Sequence, residues 1–175
     1  YLHRCESYEP GLLDRAVEAQ FEALDADGLL WPGMQVVLKP NLVMKRRPEE
    51  ATTTHPEVVS AVARALRKRG VDDIVLADSP GGLYTEGTLR AIYGSTGREG
   101  FRLNLDTGFG RREAEGALRC RSFDIIDPLR EADLVINLCK LKTHAMTGLS
   151  GACKNMFGAV PGLKKPELHC QFPEK

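Results

Sequence analysis

The segment 134–144 reads LVINLCKLKTH, and its first five residues form a mostly apolar run that ends without a turn in lysines and a histidine. The segments 36–39, VVLK, and 73–77, DIVLA, are similar runs. Runs without alternation of apolar and polar residues are typical of parallel strands covered on both sides. The sequence therefore predicts an α/β fold, a three-layer open sheet that is mostly parallel with helices on both faces.

Helical patterns separate these strands. Residues 10–24 repeat apolar side chains with helical spacing. Residues 56–70 begin with a proline, which suits the first helical position, and end in basic residues and a glycine. Shorter helices are predicted at 85–97 and 127–132, and strands at 2–6, 101–107 and 121–127, with a loop between the last two. Residues 42–54 are predicted to be a loop, and residues 147–158 a helix start or a wrapped loop.

Composition limits the classes of function. The chain has 175 residues with 24 basic and 24 acidic side chains, so its formal net charge is zero. Zero net charge argues against nucleic-acid binding, which requires a surplus of positive charge. No apolar run approaches the roughly 20 residues that span a bilayer, so we expect no membrane partner. We expect one α/β domain over 1–175, incomplete at its C-terminal end, within a longer protein.

The cysteines indicate a cytoplasmic protein with free thiols. There are five of them, an odd number, and no two have the C-x-x-C spacing of zinc or iron–sulfur motifs. We therefore expect no iron–sulfur cluster and no cofactor that the sequence identifies in residues 1–175. Cys139 lies among lysines but is expected to be a buried structural thiol.

Polar residues follow each of the three central strands. Lys39 and Asn41 follow the first, Asp78 and Ser79 follow the second, and a basic cluster follows the third. Ligands of open parallel sheets bind outside the carboxyl ends of the strands. We therefore expect these polar residues to lie at one edge of the sheet and to form the functional site.

The basic cluster after the third strand could bind an anion. Lys140, Lys142 and His144 are two residues apart, so in an extended chain they point to one side. Ammonium groups bind phosphate and carboxylate as point charges. Residues 147–151 could add backbone amides, followed by Lys154 and Asn155. The alternatives are a solvated surface loop and glycines that serve packing alone.

The histidines and Asp78 permit several roles. His55 precedes the proline of the second helix, so it is either structural or a general acid or base facing His144. Asp78 could bind a cation, orient a histidine or cap a turn. A divalent metal held by Asp78, His55 and His144 is an alternative, but no spacing matches a metal motif and we predict no metal site. His3 and His169 are expected to be incidental.

Five motifs resemble one family. They are KPNLV at 39–43, TTHPEVV at 53–59, DSPGG at 78–82, ADLVINL-KLKTH at 132–144 and TG--GA-KN-FG at 147–158. Their order resembles the family called domain of unknown function 362. The resemblance implies an α/β domain that is often followed by a ferredoxin-type domain with 4Fe-4S clusters. The cluster cysteines would then lie beyond Lys175. Cys139 departs from the family, which usually has proline there.

A weaker resemblance, at the level of fold, is to the N-terminal domain of nickel-pincer racemases of the lactate racemase type. That resemblance implies acid–base roles for His55 and His144. Fold similarity alone does not establish function.

The favoured hypothesis is a domain that binds a small anionic metabolite or cofactor, with enzymatic activity left open. The proposed catalytic residues are His144, Lys142 and His55, and the proposed ligand-binding residues are Lys39, Asn41, Thr54, Asp78, Ser79, Lys140, Lys154 and Asn155. One alternative is a redox module next to an attached ferredoxin-type domain. The other is a non-catalytic scaffold that forms a homo-oligomer.

Overall fold

The computed structural model describes residues 2–81, 85–93, 100–145 and 147–171. The strands are β1 (Gln35–Pro40), β2 (Asp73–Leu76), β3 (Arg102–Leu103), β4 (Phe109–Glu113), β5 (Ser122–Ile126), β6 (Leu134–Leu138), β7 (Lys142–His144) and β8 (Gly148–Ser150). The α-helices are α1 (Pro10–Ala23), α2 (Pro56–Lys68), α3 (Glu86–Tyr93), α4 (Asp127–Glu131), α5 (Ala152–Asn155) and α6 (Lys164–Gln171). Short 3-10 helices occupy Ala26–Leu29, Pro48–Glu50 and Met156–Ala159.

A four-stranded sheet in the order β3-β2-β1-β6 forms the centre of the fold. All three strand pairs are parallel, and Val37 of β1 lies opposite Val75 of β2 and Val135 of β6. The predicted α/β class is confirmed. Because the strands are parallel, β1, β2 and β6 end at the same edge of the sheet, which brings together the segments that follow them.

The larger core lies between one face of the sheet and helices α1, α2 and α3. Leu38, Val59, Leu66 and Leu89 are buried there without solvent exposure. The helical repeat of apolar residues in α2 directs one side of that helix at the sheet. On the outer side, Arg64 of α2 forms a partly exposed ion pair with Asp14 of α1.

The opposite face has a smaller core. Val37, Val75, Ala77 and Ile126 are buried together, and Leu129 of α4 packs against them. The layer on this face consists of α4 and the antiparallel β4–β5 hairpin. The prediction of helices on both faces is confirmed, although a hairpin shares the second layer. The five side chains of β6 are only partly buried, because β6 is at the edge of the sheet.

Several local predictions were wrong. Residues 2–6 form no strand. The predicted loop before β5 contains β4, whose sequence FGRRE is polar because most of the hairpin surface is exposed. Residues 147–158 do contain a helix start, the short α5, but they also contain β8, which pairs with β7 and was not predicted. The end of the predicted helix at 94–97 and Gly82 of the DSPGG motif lie outside the described residues.

In the described part of the chain, no helix has both the length and the apolar composition needed to cross a bilayer.

Truncation of a core side chain tests the packing of α2 on the sheet. Leu66 has no solvent exposure, so Leu66→Ala is expected to lower the free energy of unfolding by about 2–5 kcal/mol through lost burial and a cavity. Chemical denaturation measures the change. Leu24→Ala is the control, because Leu24 is 69% exposed and its removal is expected to change stability little. Equal effects of the two substitutions would contradict the packing described.

Candidate functional site

A buried ion pair lies where β1 and β2 end. The Nζ of Lys39 is 2.8 Å from Oδ1 of Asp78 and 3.1 Å from the carbonyl oxygen of Pro40. The second oxygen of Asp78 accepts a hydrogen bond from the amide of Leu42 at 2.9 Å. Lys39 has no solvent exposure, and the side chain of Asp78 is 6% exposed. The two charges therefore neutralise each other, and their contact joins the ends of β1 and β2.

Polar side chains join the end of β6 to the same edge. Asn155 donates to Oδ1 of Asn137 at 2.7 Å and accepts a hydrogen bond from Nδ2 of Asn41 at 2.9 Å. The hydroxyl of Thr54 donates to the carbonyl of Leu138 at 2.6 Å and accepts from the amide of Asn41 at 2.9 Å. These hydrogen bonds hold Asn41 after β1, Thr54, the end of β6 and Asn155 of α5 together at one edge of the sheet.

A cleft of about 470 Å³ opens beside this network. Its basic lining residues are Lys142 and His144 from β7, Lys154 from α5, and Lys165 and His169 from α6. Asp78 is the one acidic residue among the lining residues. Because Asp78 already pairs with Lys39, no other carboxylate among the described lining residues balances the positive charge of the cleft.

Burial lowers the pKa of the lysine side chains that line the cleft. Burial lowers the pKa of Lys165 to about 8; Asp78 opposes this shift, and the charges of Lys39 and Lys154 add to it. Burial also lowers the pKa of Lys142, with a further decrease from Lys140, and it lowers the pKa of Lys154. A bound anion would offset this cost of burying positive charge.

Hydrogen bonds orient several of these side chains. The Nζ of Lys142 donates to Oδ1 of Asn41 at 2.7 Å and to the carbonyl of Thr52 at 2.5 Å. The Nδ1 of His144 accepts a hydrogen bond from the amide of Thr147 at 3.3 Å. Burial is the main cause of a lowered pKa of His144, and Lys154 and Lys142 lower it further. A neutral His144 at pH 7 follows from these effects.

Phe157 and Ser79 add two further features to the cleft. The Nζ atoms of Lys154 and Lys165 lie 5.1 Å and 6.0 Å from the centroid of the Phe157 ring. The edge of the His169 ring meets the same phenyl ring, with centroids 5.0 Å apart. The hydroxyl of Ser79 is buried and has no hydrogen-bond partner among the described residues. An unpaired buried hydroxyl is costly, and a ligand in the cleft could accept its hydrogen bond.

Lys140 and His55 lie apart from the cleft lining. The ring of His55 stacks on Tyr8 at 3.7 Å, and Lys140 donates to the Tyr8 hydroxyl at 3.3 Å. His55 caps the start of α2, because its Nδ1 accepts a hydrogen bond from the amide of Glu57. This position matches the structural role that was the alternative to acid–base chemistry. The expected common side for Lys140, Lys142 and His144 is not observed, because the chain leaves β6 at Leu138 and starts a new strand at Lys142.

The remaining predicted ligand-binding residues fall into two groups. Asn41, Asp78, Ser79, Lys154 and Asn155 line the cleft, as do the predicted catalytic residues Lys142 and His144. Lys39 and Thr54 lie behind the lining and support it.

The alternative metal triad is not brought together, because His55 caps a helix away from Asp78 and His144. Among the described ranges, no group of three histidine, cysteine or acidic side chains is placed to hold a metal ion. Cys139 is exposed, so the expectation of a buried thiol was wrong.

Sequence reasoning missed the contribution of α6. Lys165 and His169 line the cleft, although His169 was expected to be incidental. Their positions depend on how residues 160–164 turn back to the sheet edge, and no local pattern reports that turn. Gly158 was noted only within a family motif, yet a Cβ there would collide with both Asp78 and Lys39.

The chain belongs to the family described as Domain of unknown function (DUF362), whose model matches residues 36–175. It is 35% identical over 177 residues to a protein named thylakoid-associated protein from Synechocystis sp.. The alignment covers 97% of this chain and 53% of that relative, so the chain spans about half the length of the relative it matches. Comparison with solved structures gave no significant match.

Removal of one partner tests the buried ion pair. Lys39→Met is expected to lower the free energy of unfolding by about 3–5 kcal/mol, because it leaves the buried Asp78 carboxylate without its counter-charge. Urea denaturation measures the change. The control is Lys68→Met, which removes an exposed ion pair with Glu18 and should cost at most about 1 kcal/mol. A Lys39→Met protein as stable as the control variant would refute the role of the pair.

A methyl group at position 158 tests the close packing behind the cleft. Gly158→Ala is expected to destabilise the protein by about 1–3 kcal/mol, because the new Cβ would overlap the Lys39–Asp78 pair. Thermal unfolding measures the effect. Gly11→Ala in α1 is the matched control, because its Cβ would meet only Arg15 at 3.9 Å. If both alanine variants unfolded at the wild-type temperature, the close packing described around Gly158 would be contradicted.

Proposed function

We propose that the cleft binds a small organic anion, carrying a carboxylate or phosphate group, beyond the carboxyl ends of β1, β2 and β6. The observation that carries the proposal is the charge of the lining, which among the described residues has three lysines and one carboxylate. That carboxylate already pairs with Lys39. A ligand of negative charge would balance the lining.

The lysines of the cleft support this proposal individually. Lys142, Lys154 and Lys165 form no ion pair with a carboxylate among the described side chains. All three have a lowered pKa, and burial is the first cause in each case. Burying an ammonium group without a counter-charge costs free energy. An anion in the cleft would recover part of that cost, which gives it a physical reason to bind.

The other lining residues indicate an organic ligand. Val43, Pro80, Phe157 and Pro166 contribute apolar surface to the cleft. Small-molecule sites combine such surface with a few polar groups that fix orientation. The Ser79 hydroxyl and the Asn41 side chain are polar groups of this kind. His144 could donate a hydrogen bond to the ligand from Nε2, because its Nδ1 already accepts one from the amide of Thr147.

The other hypotheses remain proposals. A redox module would require cluster-binding cysteines in a longer protein, and a parent sequence without them would exclude it. An oligomeric scaffold would require self-association, which ultracentrifugation measures. A cytoplasmic location rests on the free thiols alone. None of these is favoured by a particular contact at the strand ends, whereas anion binding is favoured by the charge of the cleft.

Calorimetric titration with oxalate and, separately, pyrophosphate tests anion binding. Lys154→Met and Lys165→Met are each expected to weaken binding by roughly 10-fold or more, because each removes one charged partner. Lys68→Met is the control, because Lys68 lies on the outer surface of α2 and pairs with Glu18. If neither anion bound the wild-type protein, or if all three variants bound equally, the proposal would fail.

Oxalate affinity is also expected to depend on pH. The pKa of Lys165 is lowered to about 8, so the positive charge of Lys165 is present below that pH and is lost above it. Affinity should therefore decrease as pH rises through about 8 and beyond. Oxalate suits this experiment because its carboxylates stay ionised above neutral pH. The same titration with Lys165→Met should show a weaker pH dependence, and an equal dependence would exclude Lys165 as its source.

A further inference from the structure

Lys165 differs from the lysine beside it on α6. Lys164 lies 3.7 Å from a carboxylate oxygen of Asp124 and 3.6 Å from one of Glu167. Lys165 instead donates a hydrogen bond to the carbonyl oxygen of Ser79, inside the cleft. A carbonyl accepts a hydrogen bond from a neutral amine as well as from an ammonium group. The position therefore does not require that Lys165 stay charged.

The surroundings of Lys165 favour a reactive amine. In the described part of the chain, the charged or titratable groups near it are Asp78 and Lys39 from the strand ends, Lys154 from α5 and His169 from α6. Burial and neighbouring cations are the two conditions that activate a lysine for attack on a carbonyl carbon. With a pKa of about 8, about a tenth of Lys165 is neutral at pH 7, whereas an ordinary lysine is neutral in less than about a thousandth of molecules.

We propose that Lys165 is a nucleophile that forms an imine with the carbonyl group of a 2-oxo acid held in the cleft. The inference rests on the proposed anion binding, because the carboxylate of the 2-oxo acid is the anion. Lys154 and Lys165 face the same ring of Phe157. Both lysines line the cleft, so a 2-oxo acid whose carboxylate is bound by Lys154 would have its carbonyl carbon in the same cleft as the Lys165 amine.

The reaction needs no oxidant or reductant. The neutral amine of Lys165 attacks the carbonyl carbon, a C–N bond forms, and a proton moves from nitrogen to the carbonyl oxygen to give a carbinolamine. The C–O bond then breaks with uptake of a second proton, and water leaves. The second proton replaces the one that the ammonium group of Lys165 lost before the attack. Overall, one 2-oxo acid and the ammonium form of Lys165 give one protonated imine and one water, so atoms and charge are conserved.

Two other cleft residues suit this reaction. The buried hydroxyl of Ser79 has no partner in the described part of the chain and could donate a hydrogen bond to the carbonyl oxygen of the substrate. The Nδ1 of neutral His144 accepts from the amide of Thr147, so its proton is on Nε2, which could donate a hydrogen bond to the bound substrate. These contributions would position and activate the substrate, and the covalent bond would belong to Lys165 alone.

Reductive trapping tests the inference. The complete chain is incubated with glyoxylate, pyruvate or 2-oxoglutarate, reduced with borohydride, and examined by intact mass and peptide mapping. The expected result is one adduct per chain, located at Lys165, with at least one of the three acids. The yield should rise as pH increases from about 7 to 8, as Lys165 loses its proton. Trapping at many lysines without preference for Lys165, or no adduct with any acid, would overturn the inference.

Neighbouring lysines supply the controls. Lys165→Arg is expected to abolish the adduct, because arginine keeps the charge but forms no imine. Lys164→Arg should trap as well as the wild type, since Lys164 is directed at Asp124 and Glu167. Equal trapping in the two variants would refute the assignment.

Oxalate binding to the wild-type chain separates the two proposals, because oxalate lacks a ketone or aldehyde carbonyl. Binding of oxalate without trapping of any 2-oxo acid would leave the anion site standing and remove only the imine. Failure of both would remove the anion site as well.

Discussion

The ion pair between Lys39 and Asp78 is the interaction on which the site depends. It is enclosed at the ends of β1 and β2, and its carboxylate also accepts hydrogen bonds from the amides of Leu42 and Ser79. A buried charge without its partner is strongly destabilising, so neither residue can be removed alone without loss of stability. Gly158 lies against the pair because any larger residue would overlap it. The strand ends are therefore fixed relative to the segment that carries α5 and α6.

This arrangement has a consequence for the charge of the cleft. Asp78 is the one carboxylate among the described lining residues, and it is paired with Lys39. The lining lysines of β7, α5 and α6 therefore have no acidic partner in the described structure. Their positive charges are then close together and partly removed from water, which lowers the pKa of each lysine. Such a site has two uses. We propose that it binds an anion and that it supplies a neutral amine at a pH where most lysines are fully charged.

The sequence predicted the parts of this site that follow from local pattern. The apolar runs located β1, β2 and β6, and the rule for carboxyl ends of parallel strands placed Asn41, Asp78 and Ser79 at one edge. Alternation along 140–144 was misleading, because a break after Leu138 separates Lys140 from Lys142 and His144. Lys165 could not be predicted, because its role depends on a long-range contact with Ser79, 86 residues earlier in the chain.

A direct measurement of the ionisation of Lys165 tests the account most sharply. Nuclear magnetic resonance of the lysine side chains, assigned with Lys165→Arg, would follow this group through a pH titration with and without oxalate. We predict a pKa near 8 for the free protein, and a higher pKa when oxalate is bound because the anion stabilises the ammonium form. An ordinary lysine pKa that oxalate leaves unchanged would contradict both the buried position of Lys165 and the anion site.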